Sequence, residues 1–443
     1  MSSPLPVYVF AKAPVAGRVK TRLVPAVGEE GAARLAAALL EDTLEALLQA
    51  GRAAPVLAVD DGAAFRGRGL PMVEQGTGDL GERLERVLGR GLTRAQAVVA
   101  VGSDAPGFPT PLLEACFSAL EHTDAVLTPA EDGGFALLGL RRCPPGLLRG
   151  LPWSGAETLQ ATEARLRARG LSVVRVGRFF DVDGPADLAR LRVELAEGTV
   201  QGRHTAQALS TLAVAPWLSV VVPVLDEARR LELVLRRLVG LPAVDEVLVV
   251  DGGSRDKSRA IAQSVPGVRL LEAQRGRALQ MNAGAAAARG EVLCFLHADV
   301  TLPRDAAGQV ARAFASEAVV ACAFRTRTVA DVGGSWASAL LPVADLRSRW
   351  THLPYGDQAV CVRRSAFERA GGFPDQPLME DVELARRLRA HGRFVRLRST
   401  VTVSGRRFLK RPFRTLLFWN SFPALYQLGV RAAVLEKLYG NVR

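Results

Sequence analysis

The chain has no cysteine pair at metal- or redox-motif spacing. Its five cysteines (Cys116, Cys143, Cys294, Cys322 and Cys361) are odd in number, scattered through 443 residues and never in C-x-x-C. That excludes a zinc ribbon, argues against a disulfide scaffold and fits a reducing cytoplasm. Absent too is any run of about 18 uncharged apolar residues, so no segment is expected to span a bilayer as a helix. No secretory leader is expected, because Pro4 and Pro6 precede Val7–Phe10 and no long apolar core follows. G-x-G-x-x-G is missing at both places that could carry it, Val7–Gly17 and Val220–Glu227, which leaves an NAD-type oxidoreductase without its phosphate loop. Lysine is scarce: 5 of the 57 basic residues, the other 52 being arginines, an excess read chiefly as genomic composition.

What is present belongs to a folded protein. Hydrophobic residues make up 49% and charged residues 23%, which excludes wholesale disorder. The length exceeds what one core accommodates and suggests two or three domains. Charge divides unevenly: residues 1–205 hold 23 basic and 24 acidic side chains, residues 206–443 hold 34 and 21. Residues 404–443 carry eight basic residues against Glu436 alone. Such asymmetry suggests two units with different partners. A basic nucleic-acid binder is the alternative from another class. The cations are not interleaved with stacking aromatics on a known module, and anionic donors or lipids suit the charge as well, so no nucleic-acid partner is expected.

Both halves alternate short apolar runs with amphipathic stretches. In the first, Val7–Lys12, Pro55–Asp60, Ala97–Asp104 and Asp124–Pro129 read as strands, with helices such as Glu29–Leu48 and Leu80–Leu92 between them. Leu218–Pro223, Glu246–Asp251 and Glu291–Asp299 repeat the pattern. Near-continuous apolar strands between helices imply an α/β protein with mostly parallel sheets covered on both faces. The weakly periodic stretch before Pro216 places a linker at 201–216, between domains at 1–200 and 217–443. Ligands of such sheets bind beyond the carboxyl ends of the strands, which directs attention to Asp104, Asp251 and Asp299. Asp60 and Asp61 also end a strand, without a pattern around them.

In the second half, Asp251-Gly-Gly-Ser-Arg-Asp256 follows a buried strand and opens a helix. Glycine admits a close ligand, the helix start offers free N–H groups, and a strand-end carboxylate suits a base or ribose. The same run also fits a plain strand-to-helix turn. The next long strand ends in His297-Ala-Asp299, 48 residues further on, where an acid can hold a divalent ion that bridges two phosphates.

These motifs make Leu218–Gly405 resemble a family 2 glycosyltransferase of the GT-A fold. Pro223-Val-Leu-Asp-Glu227 matches P-x-x-N-E, with Asp226 for the usual Asn, and Asp251, Gly252, Ser254, Asp256 and Ser258 match D-G-S-x-D-x-[ST]. Gly276–Gly284, containing Arg277 and Asn282, matches the G-x-x-x-x-x-N-x-G segment beneath the sugar. Asp299 takes the metal place of D-x-D, whose first acid is His297 here. Gly371-Gly-Phe373 followed by Met379-Glu-Asp381 resembles G-G-F-x(n)-E-D, which implies Asp381 as catalytic base with Glu380 as runner-up. Tyr355-Gly-Asp-Gln358 and Ser404-Gly-Arg-Arg-Phe408 are similar to segments of the subgroup named for arsenosugar biosynthesis. They set Gly356, Asp357 and Gln358 on the acceptor side, and Arg406 and Arg407 on the diphosphate. The two acids also fit a charge pair at a helix start, and the two arginines a solvated basic face. His297 and His352 suit structural roles better than catalytic ones. Arg411–Tyr426 is basic, aromatic and apolar; it suits either an anionic membrane surface or a cap on the transferase core.

In the first half, Phe10–Leu23 leaves strand one as a loop carrying Lys12, Arg18, Lys20 and Arg22, placed to hold a triphosphate. Gly102-Ser-Asp-Ala-Pro106 sets Asp104 opposite it as a metal ligand, and Asp132-Gly133 and Asp181-Val-Asp183 follow. The set resembles GT-A-like proteins related to molybdenum-cofactor and phospholactate guanylyltransferases. That resemblance implies nucleotide binding by the loop, with Asp132 and Gly133, and Mg²⁺ on Asp104 and Asp183.

The whole then reads as two tandem GT-A domains in a metal-dependent inverting glycosyltransferase using Mg²⁺ or Mn²⁺. A nucleotide-sugar would donate to a small-molecule or lipid acceptor, while the first domain binds or makes nucleotide. In the alternative reading, nucleotidyl transfer dominates and the second half is a donor-binding partner. The expected location is cytoplasmic, with the tail suited to the inner face of the plasma membrane.

Overall fold

Strand residues that alternate between two buried clusters explain why the apolar runs read as near-continuous. In the first strand Val7, Val9 and Ala11 pack with Phe65 and Phe117, while Tyr8 between them faces Leu84, Leu88 and Leu166. A strand covered by helices on both faces keeps almost no polar side chain. The computed structural model describes residues 4–153, 155–330, 338, 340–343, 345, 354–410, 413, 415, 417, 421–422, 425–426 and 428–440. Contacts divide it into Met1–Ala215 and Pro216–Arg443.

The first unit holds β1 (Leu5–Ala11), β2 (Ala53–Val59), β3 (Met72–Glu74), β4 (Val98–Gly102), β5 (Ala125–Pro129), β6 (Phe135–Leu140) and β7 (Val173–Arg175). Their order is β3-β2-β1-β4-β6-β5-β7, and β6 alone among them runs antiparallel to its neighbours. The expected helix at Glu29–Leu48 is part of Val24–Gln49, which is interrupted at Gly28 (φ 73). Leu80–Leu92 starts at a capping box in which Asp79 accepts from the Glu82 N–H and the Glu82 carboxylate accepts from the Asp79 N–H.

The stretch expected to be a linker is partly helical. Arg203–Thr211 forms a helix whose first N–H groups, at His204 and Thr205, donate to Asp42 at 2.8 and 2.9 Å. Weak periodicity hid it because its anchor is a carboxylate about 160 residues earlier in the chain. Asp42→Ala should cost roughly 1–2 kcal/mol, the upper range for a lost helix cap. A urea midpoint for the first unit equal to that of the unaltered chain would remove Asp42 as the anchor.

The second unit holds β8 (Leu218–Val224), β9 (Glu246–Asp251), β10 (Val268–Glu272), β11 (Val292–Phe295), β12 (Val300–Thr301), β13 (Val319–Val329), β14 (Val360–Arg363) and β15 (Arg393–Ser404). The order is β10-β9-β8-β11-β14-β13-β15-β12, with β14 and β12 antiparallel to their neighbours. One edge of this sheet therefore collects the carboxyl ends of β8, β9, β11, β13 and β15 with the start of β14. β11 ends at Phe295, four residues before Asp299. The Val300 N–H turns back to the His297 carbonyl, so the His297–Asp299 run is a loop rather than the strand end expected.

Candidate active site

The two motifs that open the second unit are tied into one knot. Asp226 adopts a left-handed backbone (φ 56), tolerable for an Asp, and its Oδ1 accepts the N–H groups of Arg255 (2.7 Å) and Asp256 (3.3 Å). In return Ser254 Oγ accepts the Asp226 N–H, Ser258 Oγ the Glu227 N–H and Asp256 Oδ2 the Ala228 N–H. Only acceptance is asked of Asp226, which is why a carboxylate serves where the family pattern has an amide. Asp251, 2% exposed, folds its carboxylate onto the Gly253 and Ser254 N–H groups at the tip of β9. Ser254, Asp226 and Asp256, expected against the donor, thus first shape the loop that would hold it. Pro223 lies in β8, paired with Val250 of β9.

Gln280 escaped the sequence reading. Buried on the helix Arg277–Ala287, its Nε2 donates to the carbonyls of Val224 (2.9 Å) and Val250 (2.7 Å), closing the ends of β8 and β9. A Cβ on Gly252 would stand 2.9 Å from its amide, so a larger residue there would displace Gln280 from the two carbonyls. The available signal was a glutamine on an otherwise apolar helix face. From the same helix Asn282 bonds the Phe373 backbone twice, Nδ2 to the carbonyl (2.8 Å) and Oδ1 from the N–H (2.9 Å). It holds the Gly371–Phe373 turn, where Gly372 takes φ 67.

Arg277 reaches Glu380 rather than open solvent, at 3.1 Å. Glu380 is 2% exposed, and its Oε2 has no hydrogen-bond partner among the described residues. Burial pushes its carboxyl up to about 7, with Asp381 adding to the rise and Arg277 opposing it. Asp381 is the second residue of the helix Glu380–Leu388 and stays half-buried; its Oδ2 accepts the Gly356 N–H at 2.5 Å. Gly356 must be glycine, because a Cβ there would lie 2.7 Å from His297 Nε2 and 3.4 Å from Asp381 Oδ2. His297, Gly356 and Asp381 therefore line one small cavity with Met281, Phe295 and Phe373. This sets His297 beside the expected base. Asp357 is half-buried and Gln358 buried in the turn that enters β14.

Asp299 is half-buried, and its carbonyl accepts the Ser404 N–H at the end of β15. Arg406, two residues further, places its guanidinium 3.3 Å from Glu227. The convergence joins residues about 180 positions apart at one sheet edge. The Arg407 side chain, His352 and most of Arg411–Tyr426 lie outside the described residues.

In the first unit Lys20 leaves its neighbours. Lys12, Arg18 and Arg22 are exposed, whereas the Lys20 side chain is 4% exposed with Nζ at 2.8 Å from Asp104 and 2.9 Å from Asp183. Burial by itself would lower its pKa; the two carboxylates more than offset that and hold it above the ordinary value. Asp181 is pushed up to about 7 by burial, then by Asp104, Asp183 and Asp132. Asp132 caps its own turn through the Gly134 N–H, and Gly133 (φ 95) leaves no room for a side chain, since a Cβ would meet the Ala156 carbonyl at 2.2 Å. Among the described residues, the group whose ligand atoms come within metal-sharing distance is Asp42, Glu45 and His204, unforeseen in the sequence. Asp42 is committed to its helix cap, and Glu45 lies 3.4 Å from the Arg203 guanidinium, whose charge competes with any cation there.

Known proteins match the chain in parts. Residues 34–155 match a family described as an uncharacterized protein conserved in bacteria (DUF2064), and residues 219–373 match glycosyl transferase family 2. A putative nucleotide-diphospho-sugar transferase from Desulfovibrio desulfuricans G20 is 30% identical, over 47% of this chain and 95% of that one, with a TM-score of 0.44. Mannosyltransferase PcManGT from Pyrobaculum calidifontis, in complex with GDP-Man and Mn²⁺, is 23% identical over 51% and 68%, with a TM-score of 0.37. S. aureus TarS 1-349 in complex with UDP-GlcNAc is 17% identical over 42% and 58%, with a TM-score of 0.34. No curated protein matches the chain. One chain thus joins a segment that matches glycosyl transferase family 2, residues 219–373, to a segment that matches DUF2064, residues 34–155.

Proposed function

We propose that the second unit moves a sugar, with inversion, from a nucleotide-diphosphate donor to the hydroxyl of a small-molecule or lipid acceptor. The observation that carries this reading is the gathering at one sheet edge of Asp251 at the end of β9, Asp299 after β11, Asp381 against the turn before β14 and Arg406 after β15. Inverting transfer needs one carboxylate to take the acceptor proton while positive charge draws off the leaving diphosphate. Asp381 is that base: it is half-buried and reachable, whereas Glu380 is buried and engaged by Arg277. Asp251 would hold the nucleoside, and Arg406 is within reach of the diphosphate once it leaves Glu227. Gly356, Asp357 and Gln358 flank Asp381 on the acceptor side.

Asp299 fits a hard divalent ion, Mg²⁺ or Mn²⁺, because such ions prefer carboxylate oxygen and take remaining ligands from phosphate. His297, the first position of the H-x-D run, stands with its Nε2 against Gly356. When bound, the ion would neutralise charge on the leaving diphosphate. Asp299→Ala should weaken Mn²⁺-dependent binding of a UDP- or GDP-sugar by at least about 10–100-fold, the range for a metal site's supporting groups. Calorimetric titration giving equal affinity for both chains would refute the metal role.

The first unit we read as a nucleotide-holding domain, on the strength of Lys12, Arg18 and Arg22 exposed on the loop that follows β1. The tail suits an anionic membrane surface: Phe413, Leu417 and Leu428 are exposed among its basic residues, and no helix of the described residues is long and apolar enough to cross a membrane.

A further inference from the structure

The pair expected to hold magnesium in the first unit already holds a cation. Lys20 Nζ lies 2.8 Å from Asp104 Oδ1 and 2.9 Å from Asp183 Oδ1, the separations of charge-assisted hydrogen bonds. Each carboxylate keeps its second oxygen, so a divalent ion held by the pair, at roughly 2.0–2.6 Å from its ligands, would have to sit beside this ammonium. An ammonium between the two carboxylates already offsets part of their charge and repels a second cation placed next to it.

Nor is the ammonium free to step aside. The Lys20 side chain is 4% exposed, so its charge has little water to retreat into. Its backbone stands at φ 49, a left-handed conformation that costs a residue with a Cβ and persists only where the surroundings impose it. Those surroundings are visible. Val19 before it and Leu23 after it are buried, the Leu23 N–H bonds the Lys20 carbonyl, and the helix Val24–Gln49 starts directly behind. The loop is therefore drawn in at Lys20, while Lys12, Arg18 and Arg22 remain outside.

We infer that Lys20 is the resident cation of the first unit, its ammonium standing between Asp104 and Asp183 where a divalent ion would otherwise sit, so that this pair takes no metal. A phosphate-bearing ligand of the unit would then meet only organic cations. The inference departs from the magnesium site expected in the sequence, and it is independent of the ion proposed at Asp299 in the second unit.

Counting Mn²⁺ bound per full-length chain by electron paramagnetic resonance tests it. The unaltered chain and Asp104→Asn should bind the same number of ions, and Lys20→Met should bind one more, at the vacated carboxylates. Loss of one ion in Asp104→Asn would overturn the inference, as would Lys20→Met gaining none while its circular dichroism stays native. Should Lys20→Met fail to fold, the comparison of the unaltered chain with Asp104→Asn decides alone. Asp299→Ala, measured alongside, reports on the second unit separately, so failure of one assignment leaves the other standing.

Discussion

Asp381→Asn will leave the donor bound and stop the transfer. The amide keeps the shape of the carboxylate, and its one oxygen can still accept the Gly356 N–H; the bond given up is the local one from the Val382 N–H to Oδ1. What it cannot do is take a proton from an acceptor hydroxyl. A general base typically contributes about 10²–10⁴-fold, and kcat should fall by that factor. Donor affinity, which the proposal places on the β9 and β11 loops, should not move. Turnover within a few-fold of the unaltered chain would remove Asp381 as base. Glu380 would not replace it, since its carboxyl is buried and spent on Arg277.

Arg277→Met should destabilise the second unit in a pH-dependent way. Glu380 titrates at about 7 in the folded chain, above the 4.5 of a free glutamate. Folding therefore favours its protonated form: the stability linked to this proton is present below about pH 4.5 and lost as pH rises toward 7. Arg277 opposes that loss by favouring the carboxylate. Without it the carboxyl titrates higher still, so the variant should match the unaltered chain near pH 5 and fall behind at pH 8. The ceiling at pH 8 is about 1.4 kcal/mol, one pH unit of proton linkage above a midpoint of about 7, because a carboxyl that titrates higher stays protonated rather than stranded as a charge. Urea unfolding at the two pH values measures the difference, and adding Glu380→Gln should restore most of it. An equal loss at both values would mean that Arg277 acts through packing alone.

How much of this was legible beforehand depends on the range of the interaction. Strands such as Glu246–Asp251 and the helix Leu80–Leu92 were readable because apolar period and capping residues lie within a dozen positions. β6 and β14 were not, because what reverses them is pairing with strands elsewhere in the sheet. The helix Arg203–Thr211 was missed for a similar reason: its cap is Asp42.

The site divides the same way. Its residue types and spacing marked Asp251, Asp299, Asp381 and the basic loop after β1 as candidates, since chemistry and local turn signals reside in neighbouring residues. Which of those groups face one another was settled only when the chain closed. Lys20 went to Asp104 and Asp183, Arg277 to Glu380, Arg406 to Glu227 and Gln280 to the ends of β8 and β9. Partners 30 to 179 residues apart leave no periodic trace, and a charge buried at the end of a sheet takes whichever counter-charge the topology brings within about 3 Å.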